Sequence, residues 1–203
     1  MWVPIALSRD VPFGVTRAVV IDGEERVAWQ AADGAVQVWE DRCPHRGMRL
    51  SLGFVRGKTL NCLYHGWTYE ADSTCIRIPA HPDLKVPATI KARAFPANEA
   101  GGMIWTEVGE GSGHAVVRGA TPVASLAIDA PAEWLLNRLG GERVVGRQLV
   151  VAEFEGMEFQ IGWHAVDATK TMLHGTLRSP DDPRRALQVL RRLRDAADEA
   201  QAA

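Results

Sequence analysis

Residues 43–67, CPHRGMRLSLGFVRGKTLNCLYHGW, hold the pattern C-x-H-x16-C-x2-H, with Cys43 and His45 in the first half and Cys62 and His65 in the second. A glycine follows each half, Gly47 and Gly66. Two loops thus converge on one metal centre, each supplying one thiol and one imidazole. A tetrahedral zinc site accepts the same four side chains, but it usually pairs cysteines about two to four residues apart and groups the histidines elsewhere. One of each per loop suits a [2Fe-2S] cluster in which one iron takes two thiolates and the other two imidazoles. Exchanging anionic thiolates for neutral imidazoles makes a cluster easier to reduce, moving it from about −400 mV to roughly −150 mV or above. It then accepts electrons from a flavin or iron-sulfur reductase and passes them to a site of higher potential. The glycines let the loop backbones approach the sulfides and donate N–H groups, and Pro44 stiffens the first loop.

The sequence around this motif reads as all-β. From Pro12 to about Val108 short β-branched runs alternate with turn residues: 16–21, 26–30, 36–40, 59–62 and 68–70. Asp22-Gly23 and Asp33-Gly34 fall between consecutive runs, where hairpin turns belong. The glycine-rich stretch 109–113 is a composition break, and the domain boundary is placed there.

Beyond it the character changes. Asp129 is expected to cap a short helix with Pro131 in its first turn, Trp134, Leu135 and Leu136 inside and Gly140-Gly141 as its stop. Runs 147–154 and 157–166 flank Glu155-Gly156, a two-residue hairpin signal, and 171–178 completes a three-stranded meander. In the middle run Phe159, Ile161, Trp163 and Ala165 alternate with Gln160, Gly162 and His164, so one face is apolar and needs a cover. Asp182-Pro183 opens a final helix whose Leu187, Leu190, Leu193 and Ala197 recur at helical spacing and supply that cover. Its arginines read as an ordinary solvated face.

With 203 residues the chain can bury a real core in one large domain or two modest ones. A composition that is 46% hydrophobic and 24% charged, with a formal charge of −2, is that of a soluble globule and not of a nucleic-acid binder. The start, MWVPIALSRD, lacks a basic segment followed by a sustained apolar run, and no apolar stretch of about 18 residues occurs. The expectation is a cytoplasmic protein with no membrane partner. Three cysteines are too few and too odd in number for a disulfide framework.

CPHRG (43–47), CLYHGW (62–67) and CIRIPA (75–80) resemble the N-terminal Rieske [2Fe-2S] domain of aromatic ring-hydroxylating and O-demethylase-type Rieske oxygenases. The likeness includes Trp2-Val3-Pro4 and extends to about Glu110. It implies an α+β chain: an all-β Rieske domain over 1–110, an antiparallel β-sandwich with a cluster-binding subdomain, then over 114–203 a small antiparallel sheet with a covering C-terminal helix. That second part resembles the end of an oxygenase catalytic domain, a helix-grip-like remnant. Respiratory Rieske proteins are less similar. Their loops carry two further cysteines in a disulfide and a serine that donates to a sulfide, where this chain has Met48, Tyr64 and Trp67. Without that hydroxyl donor the resemblance implies a potential at the low end of the Rieske range, roughly −150 mV. Cys75 stands where the family often has a cysteine and reads as a small buried apolar residue.

The oxygenases also hold a mononuclear iron on two histidines and an aspartate from a helical D/E-x2-H-x3–4-H segment. Outside the cluster motif this chain has His81, His114, His164 and His174, and none has a second histidine at that spacing. His81 and His114 read as loop residues without a ligand set. His164 and His174 lie on strands joined by a short turn, so a direct cross-strand pair needs only the right register, with Asp167 or Glu153 nearby. A slip of one residue would put the two on opposite faces, and a mononuclear iron is not expected. Trp134 and Trp163 match core positions, and Trp67 sits against the second loop.

The leading expectation is an electron-transfer protein or subunit that takes electrons from a flavin or iron-sulfur reductase to an oxygenase-type catalytic subunit, with Cys43, His45, Cys62 and His65 holding the cluster. A divergent small Rieske oxygenase acting on an aromatic or methylated substrate, and a redox-sensing or structural cluster protein, are the alternatives. A three-stranded sheet with free edges also seeks another strand, which points to a homo-oligomer or a related catalytic chain.

Overall fold

The computed structural model describes residues 1–109, 117–178 and 182–201. Most of the 109–113 break, and His114, therefore lie outside the described residues. The first strands are β1 (Trp2–Leu7), β2 (Thr16–Ile21), β3 (Glu24–Gln30), β4 (Val36–Glu40), β5 (Phe54–Arg56), β6 (Thr59–Asn61), β7 (Thr68–Glu70) and β8 (Cys75–Arg77). Then come β9 (Ala94–Phe95), β10 (Ala97–Ala100), β11 (Met103–Glu107), β12 (Thr121–Ile128), α1 (Ala132–Leu139), β13 (Glu142–Arg143), β14 (Leu149–Phe154), β15 (Met157–Ala165), β16 (Thr171–Leu177) and α2 (Pro183–Gln201). The chain is α+β, mostly antiparallel sheet with two helices. Two compact units share it without a single dividing point: Met1–Arg9, Ile21–Gly23 and Glu99–Ala203 form one, Asp10–Val20 and Glu24–Asn98 the other.

The unit that carries the two loops contains the four-stranded sheets β2-β3-β4-β9 and β5-β6-β7-β8. Asp22 and Gly23, with φ of 49° and 80°, make the two-residue turn between β2 and β3 that a right-handed strand twist favours. Its core gathers Trp29, Trp39, Leu50, Leu60 and Tyr69 around Cys43, Cys62 and Cys75. Trp29 meets Trp39 edge to face at 5.0 Å, and Trp39 meets Tyr69 the same way at 6.3 Å. The single cysteine of each loop is thereby rooted in aromatic core.

In the other unit the meander β14-β15-β16 is the centre of a larger sheet, ordered β12-β16-β15-β14-β13. The three expected strands form five because β12 pairs along β16 and the two-residue β13 pairs along β14. β12 is an edge strand, which is why it tolerates Pro122 at the point where its register shifts. Glu155 and Gly156, at φ 53° and 75°, form the expected hairpin turn. Asp182 Oδ1 accepts the Arg184 N–H at 2.9 Å and so caps α2. Asp129 does not cap α1. Pro131 takes the cap position without a side-chain bond, and Asp129 pairs with Lys170 at 3.1 Å.

Both faces of this sheet are buried. Phe159, Ile161, Trp163, Leu173 and Leu177 pack with Leu190 and Ala197 of α2. Leu190 lies so close over Gly175 that a Cβ there would overlap it. The face expected to be merely polar or small, Gln160, Gly162, His164 and His174, is also covered, since β1 and β11 pack on it. A Cβ added at Gly162 would stand 2.5 Å from Pro4 Cγ and 3.0 Å from Met103 Sδ. Because a proline ring cannot turn aside, Gly162→Ala is expected to cost about 1–3 kcal/mol, read as a lower urea midpoint at unchanged slope.

Candidate metal centre

The two loops are built alike. In the first, the Cys43 N–H donates to Met48 O at 2.8 Å while Cys43 O accepts the Gly47 N–H at 2.8 Å. In the second, Cys62 N–H donates to Trp67 O at 2.9 Å and Cys62 O accepts the Gly66 N–H at 3.0 Å. Each closure bends the chain back over its cysteine, and the glycine at the bend has φ of 72° or 67°, where a side chain would be strained. The offset of four from cysteine to glycine is thus the same in both loops, although the histidine offset differs. Pro79 Cγ leaves only 3.0 Å for a Cβ at Gly66, so the second loop is also held against the segment after β8.

This geometry sorts the four side chains by depth. Cys43 and Cys62 are each 2% exposed, whereas His45 is half-buried and His65 is exposed. The imidazoles of His45 and His65 stand 4.8 Å apart, centre to centre. Trp67 belongs to the second loop but stacks on the first loop's His45, at 4.3 Å and 7° between planes. Tyr64 leans over His65 at 3.7 Å. Burial, joined by the neighbouring His65 and Arg46 charges, holds His45 below its ordinary pKa, so it is a neutral nitrogen donor near pH 7. Burial pushes the Cys62 thiol up, with Cys43 as a further cause. Such thiols ionise when a metal takes them. Two soft sulfur donors inside and two imidazoles outside form the donor set that a two-iron cluster requires. Among the described residues no three His, Cys, Asp or Glu side chains gather at one point as a single-metal site would need.

Tyr69 is the functional residue that the sequence pattern missed. It is fully buried on β7, and its hydroxyl lies 3.1 Å from Cys43 Sγ. Burial and the nearby sulfurs raise its pKa far above the ordinary phenol value, so it remains an O–H and donates to the sulfur once Cys43 is a thiolate. A hydroxyl donor is therefore present, on a cysteine sulfur. Its signal was positional, since Tyr69 follows the loop by two residues and alternates into the core. Cys75, 1% exposed, sits in the same core with its Sγ 3.7 Å from Arg77 O, as a small buried residue does.

The second histidine pair lies in the other unit. The register sets Gly162 opposite His174 and His164 opposite Met172, so His164 and His174 are diagonal neighbours on one face and not a direct cross-strand pair. His164 Nδ1–H donates to Pro4 O at 2.9 Å and faces His174 Nε2 at 3.2 Å, while His174 Nδ1 is hydrogen-bonded to Ser125 Oγ at 2.8 Å. Asp167 instead accepts from Thr169 and Lys170 of its own turn, and Glu153 stands opposite Glu158. His81 is exposed in a turn after Ile78. Trp163 is buried, as expected, and Trp134 is half-buried against the α1 core.

Residues 1–88 match the Rieske [2Fe-2S] domain family. An oxidoreductase of Pseudomonas putida, NdmD, is 41% identical over 116 residues, which are 57% of this chain and 20% of that protein. The oxygenase subunit of 3-chlorobenzoate-3,4-dioxygenase from Comamonas testosteroni is 33% identical over 110 residues, 53% of this chain and 26% of the relative. The chain thus spans about a fifth to a quarter of these curated relatives. Among solved structures, apo dicamba monooxygenase superposes with a TM-score of 0.74 at 17% identity, covering 98% of this chain and 85% of that one. Pseudomonas putida CBB5 NdmA with caffeine gives 0.71 at 19%, covering 97% and 79%. These likenesses show the fold. The N-terminal part of the chain is a Rieske domain, which binds a [2Fe-2S] cluster, and its relatives include Rieske oxygenase subunits.

Two outcomes follow. With Cys43 as a cluster ligand, Tyr69→Phe would remove a donor to a thiolate whose charge grows on reduction, so the midpoint potential should fall by about 40 mV for a bond of about 1 kcal/mol, in a redox titration followed by EPR. His164, 1% exposed, has its pKa lowered by burial to about 4 from 6.5. The unfolded chain takes this proton first, so the stabilisation is complete above about pH 6.5 and is lost as pH falls towards 4, by up to about 3 kcal/mol. Urea unfolding from pH 7 to 4.5 should show that slope, and His164→Asn, whose amide replaces the Nδ1 donor, should flatten it.

Proposed function

We propose that the chain is an electron-transfer protein in which Cys43 and Cys62 hold one iron of the [2Fe-2S] cluster and His45 and His65 hold the other. The observation that carries this reading is the depth order of the four side chains, sulfurs in the core and His65 at the surface. The cluster supplies a one-electron couple when bound. The protein's own groups do the rest. The Tyr69 hydroxyl donates towards Cys43, the loop closures fix both cysteines, and Trp67 holds the His45 ring by stacking. An imidazole edge at the surface shortens the path to a partner while the core keeps water from the sulfurs.

In this reading electrons arrive from a flavin or iron-sulfur reductase and leave for an oxygenase-type catalytic subunit, with residues 1–110 as the redox part and 114–203 as the remnant of a catalytic domain. The fold shared with solved Rieske oxygenases supports that division of labour. Anaerobically purified protein is expected to contain two irons and two acid-labile sulfides per chain and to give a Rieske EPR signal only after dithionite. Cys62→Ser and His65→Ala should each lose that signal. A third iron that disappears in His164→Ala would overturn the carrier reading in favour of an oxygenase.

A further inference from the structure

Beside the first ligand loop lies a cleft of about 460 Å³ in which Arg42, Arg46, Lys91 and Arg93 face a single carboxylate, Glu40. All four cations are exposed. Among the described residues little neutralises them. Lys91 reaches Asp72 only at 3.9 Å, Arg93 rests 5.0 Å over the Phe95 ring, and the Arg42 guanidinium lies along Gly47. Arg46 makes no ion pair among the described residues. The same loop presents exposed Pro44, and the second loop presents Leu63 and Tyr64, 57% and 55% exposed, immediately before His65. Large apolar side chains left bare around a ligand residue, with a charged flank on one side, have the anatomy of a protein interface.

We infer that this surface docks an acidic redox protein, one whose carboxylates surround its own cofactor and enter the basic cleft while its apolar rim meets Leu63 and Tyr64. The inference rests on the electron-carrier reading. It runs against the charge of the chain as a whole, which is −2 and would repel such a partner. Local charge prevails because screening confines the field of exposed groups to about 10 Å at 0.1 M salt, so an arriving partner senses the cleft and not the distant carboxylates. Steering of this kind raises association rates by about tenfold or more and fades with ionic strength.

The test uses the cluster-loaded full chain and a reduced, strongly acidic plant-type [2Fe-2S] ferredoxin, mixed by stopped flow. The ferredoxin loses one electron and the cluster gains it, downhill because an all-thiolate cluster holds its electron less tightly than one with two imidazole ligands. The second-order rate should fall about tenfold from low salt to roughly 0.5 M. The double variant Lys91→Glu, Arg93→Glu, which lies outside both ligand loops, should lose about tenfold at low salt while keeping the wild-type EPR signal and high-salt rate. A rate that rises with salt, as the net charge requires, or a variant with the wild-type salt profile, overturns the proposal. Oxidation of the reduced cluster by ferricyanide, which gains the electron, is the control for small anions. A salt effect seen with ferricyanide and not with the ferredoxin leaves a field without a docking surface and also overturns it. Loss of the carrier reading itself shows separately, as wild-type protein without a Rieske signal.

Discussion

The fold of the cluster unit depends on one repeated constraint, the closure of each loop on its own cysteine. A backbone N–H and C=O of the same residue are both bonded back into the loop, at Cys43 and again at Cys62. This satisfies the polar groups of a segment that is neither strand nor helix, which matters because those residues are buried. It also requires a left-handed residue four positions on, and glycine supplies it both times. With the backbone fixed, the remaining choice is which side chains point inwards. Thiols are small and apolar enough for the core, whereas imidazoles with a second ring nitrogen to satisfy are more cheaply left towards water.

The other unit solves a different problem. A sheet buried on both faces usually reads as continuous apolar sequence, yet β15 alternates Phe159, Ile161 and Trp163 with Gln160, Gly162 and His164. The second face is kept dry by close backbone approach at Gly162 and by polar groups that satisfy one another. His164 bonds to a carbonyl of β1 and meets His174, which bonds to Ser125 of β12. That chain ties three strands of one sheet to a strand of another, and burial keeps His164 neutral within it. Polar core residues of this sort specify which strands pack together, at the cost of a proton-sensitive fold.

Legibility in the sequence followed the range of the interaction. Asp22-Gly23 and Glu155-Gly156 act within four residues, and both turns are where the sequence places them. Asp182 and the spacing of Leu190 and Ala197 act along one helix, and α2 forms as read. What escaped was set by distant partners. β1 and β11 are strands because they pair with each other across most of a hundred residues, and β12 because it borders β16, which nothing in its Pro122 and Ser125 announces. The diagonal His164 and His174 contact depends on a register fixed by the Glu155-Gly156 hairpin on one side and by the Asp167 turn on the other. For the ligand loops the spacing was informative because both halves of the motif are local, while Tyr69 touches Cys43 from 26 residues away.

Depth and charge in the cluster unit are arranged along one direction, and that arrangement bears on rate as well as on potential. A donor hydrogen bond from Tyr69 reaches Cys43 at the core end, where water is excluded and each dipole acts at low dielectric. The surface end presents His65 with Leu63, Tyr64 and the cations of the adjacent cleft. On the electron-carrier reading, the Tyr69 hydroxyl acts on how strongly an electron is held, and the exposed cleft acts on how quickly a partner arrives. Substitution of Lys91 and Arg93, which lie outside both ligand loops, can change association while the loop closures at Cys43 and Cys62 stay intact. Substitution at Tyr69 can change the potential without altering the surface. On the electron-carrier reading, the two loops let both properties vary, because they bury each cysteine and leave His65 exposed.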